Sequence, residues 1–101
     1  MHDHVIEIVN FKLAAGVSPE SFLASVSASN TFVKSCKGFI SRRLSHNEDG
    51  SWLEHIEWET MGDAQAASEA LMAEASCQPM MAVIDIQSVK MSHNQLKISV
   101  G

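Results

Sequence analysis

Tyrosine is absent from this chain of 101 residues, which removes a phenolic hydroxyl from any site it builds. Cysteine occurs twice, at Cys36 and Cys77, without CxxC spacing, so neither a disulfide framework nor a zinc ribbon is encoded. Both thiols are expected to stay reduced and structural. Proline occurs twice and glycine five times, the glycines scattered at turns, which excludes collagen-like and low-complexity chains and a phosphate-cradling loop. Basic residues number 7 against 12 acidic ones, a formal net charge of -5. A phosphate backbone or an anionic membrane would be repelled by the average surface, so no nucleic acid and no membrane is expected as partner. No run of eighteen apolar residues is present, and Met1 to His4 lack a basic and then apolar leader, so the expected location is cytoplasmic. The five histidines, at 2, 4, 46, 55 and 93, lie on different segments without HExxH spacing, and only His2-x-His4 is tight. No metal site is expected.

Apolar residues make up 46% of the chain, enough for one core in a single domain spanning 1–101. His4 to Leu13 (HVIEIVNFKL) is rich in β-branched and aromatic residues and predicts a first strand. Ser18-Pro19-Glu20 then predicts a helix start, with Ser18 as N-cap and Pro19 at the first helical position, the helix ending near Cys36-Lys37-Gly38. Phe39 to His46 predicts a second strand, Asn47-Glu48-Asp49-Gly50 a tight turn, and Ser51 to Glu59 a third strand. Thr60 is placed to cap an alanine-rich helix that Pro79 would stop, and Val83 to Ser92 predicts the last strand. Leu96, Ile98 and Val100 alternate in a tail, 94–101.

Strand, helix, strand, hairpin, strand, helix, strand is the order of the α+β ferredoxin-like βαββαβ fold, a four-stranded antiparallel sheet with two helices on one face. Both faces of the strands carry large apolar residues: Ile6 and Ile8 oppose Val5, Val9 and Phe11, and Ile56 and Trp58 oppose Leu53. A sheet apolar on both sides needs a second cover. A second copy of the chain would provide it, so a homodimer is expected.

The segments WLEHIEWETMGDAQAA and CQPMMAVIDIQSVKMSH, with the element order from His4 to about His93, resemble the dimeric α/β-barrel proteins related to antibiotic-biosynthesis monooxygenases, within their uncharacterised branch. The resemblance implies two sheets facing each other across a two-fold axis. It also implies a pocket in each subunit, between sheet and helices or within the barrel, and a tail that pairs with the partner's sheet edge. Members that oxidise polycyclic aromatic substrates without a cofactor are noted for Asn, Trp, Tyr and Arg groups, whereas this chain has no tyrosine. Members that degrade haem use an axial histidine on the second helix, and 63–77 contains none, although Asn10 and Trp58 match such sites loosely. No cofactor is therefore expected.

Glu7, Arg43, His55 and Glu57 occupy odd-numbered strand positions together with Phe11, Phe39, Leu53, Val89 and Met91, and are expected to converge on one face. A carboxylate, an imidazole and a guanidinium in one pocket can orient an enolisable ligand, with His55 or Glu57 as the catalytic proton acceptor. Glu7, Asn10, Phe11, Arg43, Trp58, Met91 and His93 are the expected substrate-binding residues. The tryptophans equally suit core packing, since both share a strand face with Ile56. Two function classes stay open. One is a cofactor-independent, monooxygenase-like enzyme acting on a small hydrophobic or enolisable ligand. The other is a non-catalytic structural or ligand-binding dimer whose polar cluster stabilises the interface.

Overall fold

The computed structural model describes residues 4–101, and His2 lies outside them. Strand β1 (Val5–Phe11) leads to helix α1 (Pro19–Ser35), whose N-cap Ser18 Oγ accepts from the Ser21 N–H at 3.1 Å. Gly38, at φ +82°, turns the chain into β2 (Phe39–His46), and a hairpin connects this to β3 (Trp52–Trp58). Thr60 Oγ1 accepts from the Asp63 N–H at 3.0 Å and caps α2 (Met61–Ala73). These boundaries agree with the sequence reading to within one or two residues.

The chain after α2 departs from that reading. Helix α2 ends at Ala73 because Glu74 turns extended, and its carboxylate then accepts from the Ser76 N–H and Oγ–H, capping a short 3-10 turn, Ala75–Cys77. Pro79, expected to stop a helix, instead lies in the first turn of a five-residue helix, α3 (Gln78–Ala82), where its missing N–H costs nothing. Strand β4 covers Lys90–Gln95, not 83–92. The free edge of β1 from Val5 to Asn10 pairs with Gln95 to Lys90, and before that the chain follows 12–14 through single bonds. Asp85 N–H donates to Lys12 O at 2.9 Å, and Lys12 N–H donates to Ser88 Oγ at 2.8 Å, around a 3-10 turn at Ile86–Ser88. Past Leu96, whose N–H donates to His4 O, the tail has no regular structure, and Ile98 and Val100 are exposed.

The antiparallel sheet has the order β2-β3-β1-β4, with the helices packed on one face. Directly paired residues share a face. Glu7 pairs with Ile56, and Ile8 with His55, so odd positions of β1 lie with even positions of β3. Arg42 pairs with Ile56, and Arg43 with His55. A bulge at Ile40 resets β2, so that Phe39 and Arg42 share the helix-side face. The expected convergence of Glu7 with Arg43, His55 and Glu57 is therefore corrected. Glu7 lies beneath the helices, and the other three lie on the open face.

Two groups of buried residues fill the space between sheet and helices. One comprises Phe11, Phe22, Val26, Trp52 and Met80, with Phe22 edge-on to both Phe11 and Trp52 at 5.6 and 5.0 Å between ring centroids. The other sets Ile56 and Trp58 under Ala64 and Ala67, whose methyl side chains let α2 lie close to the sheet. Between the two groups the packing leaves a cavity.

Candidate functional site

That cavity measures about 340 Å³ and is walled by apolar side chains, among them Val9, Ile56, Leu71, Met81 and Ile84. Three charged residues break the apolar lining: Glu7, Arg42 and Glu54. Each is placed by strand alternation, since β1 presents Glu7 between Val5 and Val9, β3 presents Glu54 between Trp52 and Ile56, and β2 presents Arg42 opposite Ile56.

Glu7 is 4% exposed and accepts three hydrogen bonds. Trp58 Nε1–H donates to its Oε1 at 3.0 Å, Ser68 Oγ–H of α2 to its Oε2 at 3.3 Å, and His93 Nε2 of β4 lies 3.2 Å from the same Oε2. A buried carboxylate needs such partners, and these come from three separate elements. Glu54 Oε1 accepts from Arg42 Nε–H at 2.5 Å. Arg42 Nη1 donates to Ser29 Oγ at 2.9 Å and to Asn30 Oδ1 at 3.0 Å, tying β2 to α1. Burial pushes the Glu54 carboxyl above its ordinary range; the Arg42 charge opposes this, and the nearby Glu7 charge reinforces it. Burial likewise raises the thiols of Cys36, on the cavity wall, and Cys77, which keeps them in the unreactive protonated form. Both cysteines are free.

Of the residues expected to bind substrate, Glu7, Phe11, Trp58 and Met91 line this cavity, and His93 reaches it through Glu7. Trp58 also packs edge-on against Phe39 at 5.8 Å, so it serves the core and the cavity together. Asn10, Arg43, His55 and Glu57 do not join them. Asn10 and Arg43 are exposed on the open face. There Glu57 Oε2 lies 2.7 Å from His4 Nδ1, and Nδ1 of His55 is buried without a hydrogen-bond partner among the described residues. Arg42, Glu54 and Ser68 were missed by the sequence reading. The signal for two of them was present, because Arg42 and Glu54 are charged residues at positions that alternate with Leu44, Ile56 and Trp58. Among the described residues, no group of three or more His, Cys, Asp or Glu is placed to hold a metal ion, and no helix is long and apolar enough to cross a membrane.

No family model and no curated protein matches the chain. Solved structures do. SnoaB, a cofactor-independent oxygenase from Streptomyces nogalater, superposes with a TM-score of 0.75 over 97% of both chains at 14% identity. This chain carries the antibiotic-biosynthesis-monooxygenase-like fold. A Bordetella bronchiseptica protein assigned as an antibiotic biosynthesis monooxygenase candidate gives 0.80 over 95% of this chain and 99% of its own, at 13% identity. Rv0793 from Mycobacterium tuberculosis gives 0.71 at 13% identity, over 97% and 99%. At these identities the likeness is one of fold.

Proposed function

We propose that the cavity between sheet and helices binds a small hydrophobic molecule and that Glu54 accepts a proton from it, opening a cofactor-independent oxygenation. The observation that carries this reading is the pairing of an apolar cavity with a buried carboxyl whose proton affinity is raised by burial. Loss of a proton from an activated methylene leaves an electron-rich carbon that dioxygen can oxidise. In overall balance CH2 and O2 become C=O and H2O, so no external reductant is consumed. SnoaB shares the fold and is a cofactor-independent oxygenase, which supports the reaction class. Glu7 is fully engaged by Trp58, Ser68 and His93 and fixes the position of the indole against the ligand. Oxygen uptake with a multi-ring ketone bearing an activated methylene, such as anthrone, tests the reading. Uptake above the uncatalysed rate that Glu54→Gln abolishes is expected; no uptake and no binding by any such ketone refutes it.

We also propose that the chain acts as a homodimer in the cytoplasm, joined through the open face. Ile6 and Ile8 there are partly covered, Leu53 is 37% exposed, and the unpartnered Nδ1 of His55 lies among them. In this arrangement Arg43, His55, Glu57 and Asn10 belong to the contact, which is the second of the two function classes applied to one face. His55→Ala separates the roles. Weaker dimerisation with turnover retained supports a contact role, and loss of turnover in an intact dimer would move the chemistry to this face.

A further inference from the structure

Arg42, on the cavity wall, leaves part of its hydrogen-bonding capacity weakly used among the described residues. A guanidinium presents two parallel N–H groups along its Nε–Nη2 edge, the fork that a carboxylate normally fills with both oxygens. Here Glu54 takes only the Nε–H, with Oε1. Nη1 is satisfied by Ser29 and Asn30. Nη2 has only the thioether sulfur of Met80 at 3.3 Å, a weak acceptor, although the Arg42 side chain is only 8% exposed. Arg42, Glu54 and Met80 all line the cavity. A buried cation therefore holds a strong donor beside the carboxylate, with sulfur where an oxygen would bind more strongly.

We infer that Nη2 of Arg42 receives an oxygen atom of the ligand, and that this ligand is a neutral, largely apolar molecule carrying a hydroxyl or carbonyl oxygen rather than a carboxylate. The inference rests on the proposed binding role of the cavity and adds the chemistry it selects. An oxygen on the Nη2 side of the fork sits next to Glu54. A phenolic or enolic hydroxyl there can accept from Nη2–H and donate to Glu54 at once. When its proton passes to Glu54, the negative charge moves from carboxylate to ligand oxygen across the same guanidinium, and the net charge of the cavity is unchanged. A ligand carboxylate would add an anion where Glu7 and Glu54 already face one arginine, so it is disfavoured by like-charge repulsion. Arg42 thus acts as a binding residue for the reacting oxygen, and Ser29 and Asn30 hold it in place.

Calorimetric titration of the full chain with 2-naphthol, naphthalene and 2-naphthoate at neutral pH tests this. The three probes share a ring system and differ in the oxygen group. About tenfold tighter binding of naphthol than of naphthalene is expected from one hydrogen bond to a charged group, with naphthoate weaker than naphthol. Arg42→Lys keeps the charge next to Glu54 but loses the fork, and should reduce the naphthol preference at least about threefold while naphthalene affinity holds. Arg42→Met combined with Glu54→Gln removes both charges and should abolish the preference. Equal binding of naphthol and naphthalene by the unmodified chain, a preference that survives both variants, or tightest binding of naphthoate overturns the inference while leaving the cavity a binding site. Binding of none of the three overturns the cavity reading and this inference with it. Circular dichroism identifies a variant that fails to fold, and in that case the unmodified chain's ranking of the three probes decides.

Discussion

Replacing Trp58 by phenylalanine removes one N–H from the molecule while keeping an aromatic ring between Phe39 and α2. That N–H donates to Glu7 Oε1 at 3.0 Å, and the other two partners of Glu7 both engage Oε2. The variant therefore leaves Oε1 buried without a donor. A hydrogen bond to a charged group contributes about 1.5–3 kcal/mol, and the space left by the smaller ring adds on the order of 1 kcal/mol. We expect a total loss of about 3 kcal/mol. A double-mutant cycle with Glu7→Met isolates the bond, because methionine keeps a side chain of similar length but offers no oxygen to accept from the indole; the coupling should be about 1.5 kcal/mol or more. Urea unfolding followed by far-ultraviolet circular dichroism suits the assay, since one of the two indoles is being deleted. With a slope of about 1–3 kcal/mol/M, the midpoint should fall by roughly 1–3 M. All variants must be compared at one protein concentration, because any dimerisation adds to apparent stability. Additivity of the two substitutions to within about 0.5 kcal/mol would refute the claim that this bond anchors the buried carboxylate.

Glu54 binds its proton more tightly in the folded chain than its ordinary value of 4.5 would give, so this group's contribution to stability is fully present below about that pH and is lost as pH rises through the folded value. Melting temperature against pH should accordingly decline less over that window in Glu54→Gln than in the parent, and superimposable profiles would contradict the assigned burial effect. Ile8→Glu places a charge beside His55 on the open face and should convert a dimer into monomer by light scattering; Val9, on the opposite side of the same strand, faces the cavity, and Val9→Ala should leave assembly intact. Gly38→Ala forces a Cβ into a left-handed backbone and against the Asp63 side chain, and should cost about 1–2 kcal/mol or more by thermal or urea unfolding.

Local chemistry decided most of the elements. The Ser18-Pro19 start, the Thr60 cap and the turn ending at Gly50 are each fixed by residues a few positions apart, and each forms where the sequence places it. Four strands and two long helices in the ferredoxin-like order follow from these signals, whereas the open face, expected to be apolar, carries Ile6, Ile8 and Leu53 among Asn10, Arg43, His55, Glu57, Ser92 and Asn94. The 74–89 segment did not follow. Its β-branched residues suit a strand, but a strand forms only where a neighbour offers a free edge, and β1 offers that edge to Lys90–Gln95.

The site depended on a quantity no single segment contains: the register between strands. Alternation within β1 and within β3 is legible, yet whether Glu7 shares a face with His55 or with Ile56 depends on how the two strands are offset, and a shift of one residue exchanges the faces. Pairing of Glu7 with Ile56 sends the carboxylate under the helices with Trp58, while the bulge at Ile40 brings Arg42 to the same side. The sequence by itself determined which residues alternate and therefore that some strand positions carry charge among apolar neighbours. Only the tertiary structure decided which of those charges meet, because hydrogen bonding between strands, and not the pattern along any one of them, sets the face on which each side chain is buried.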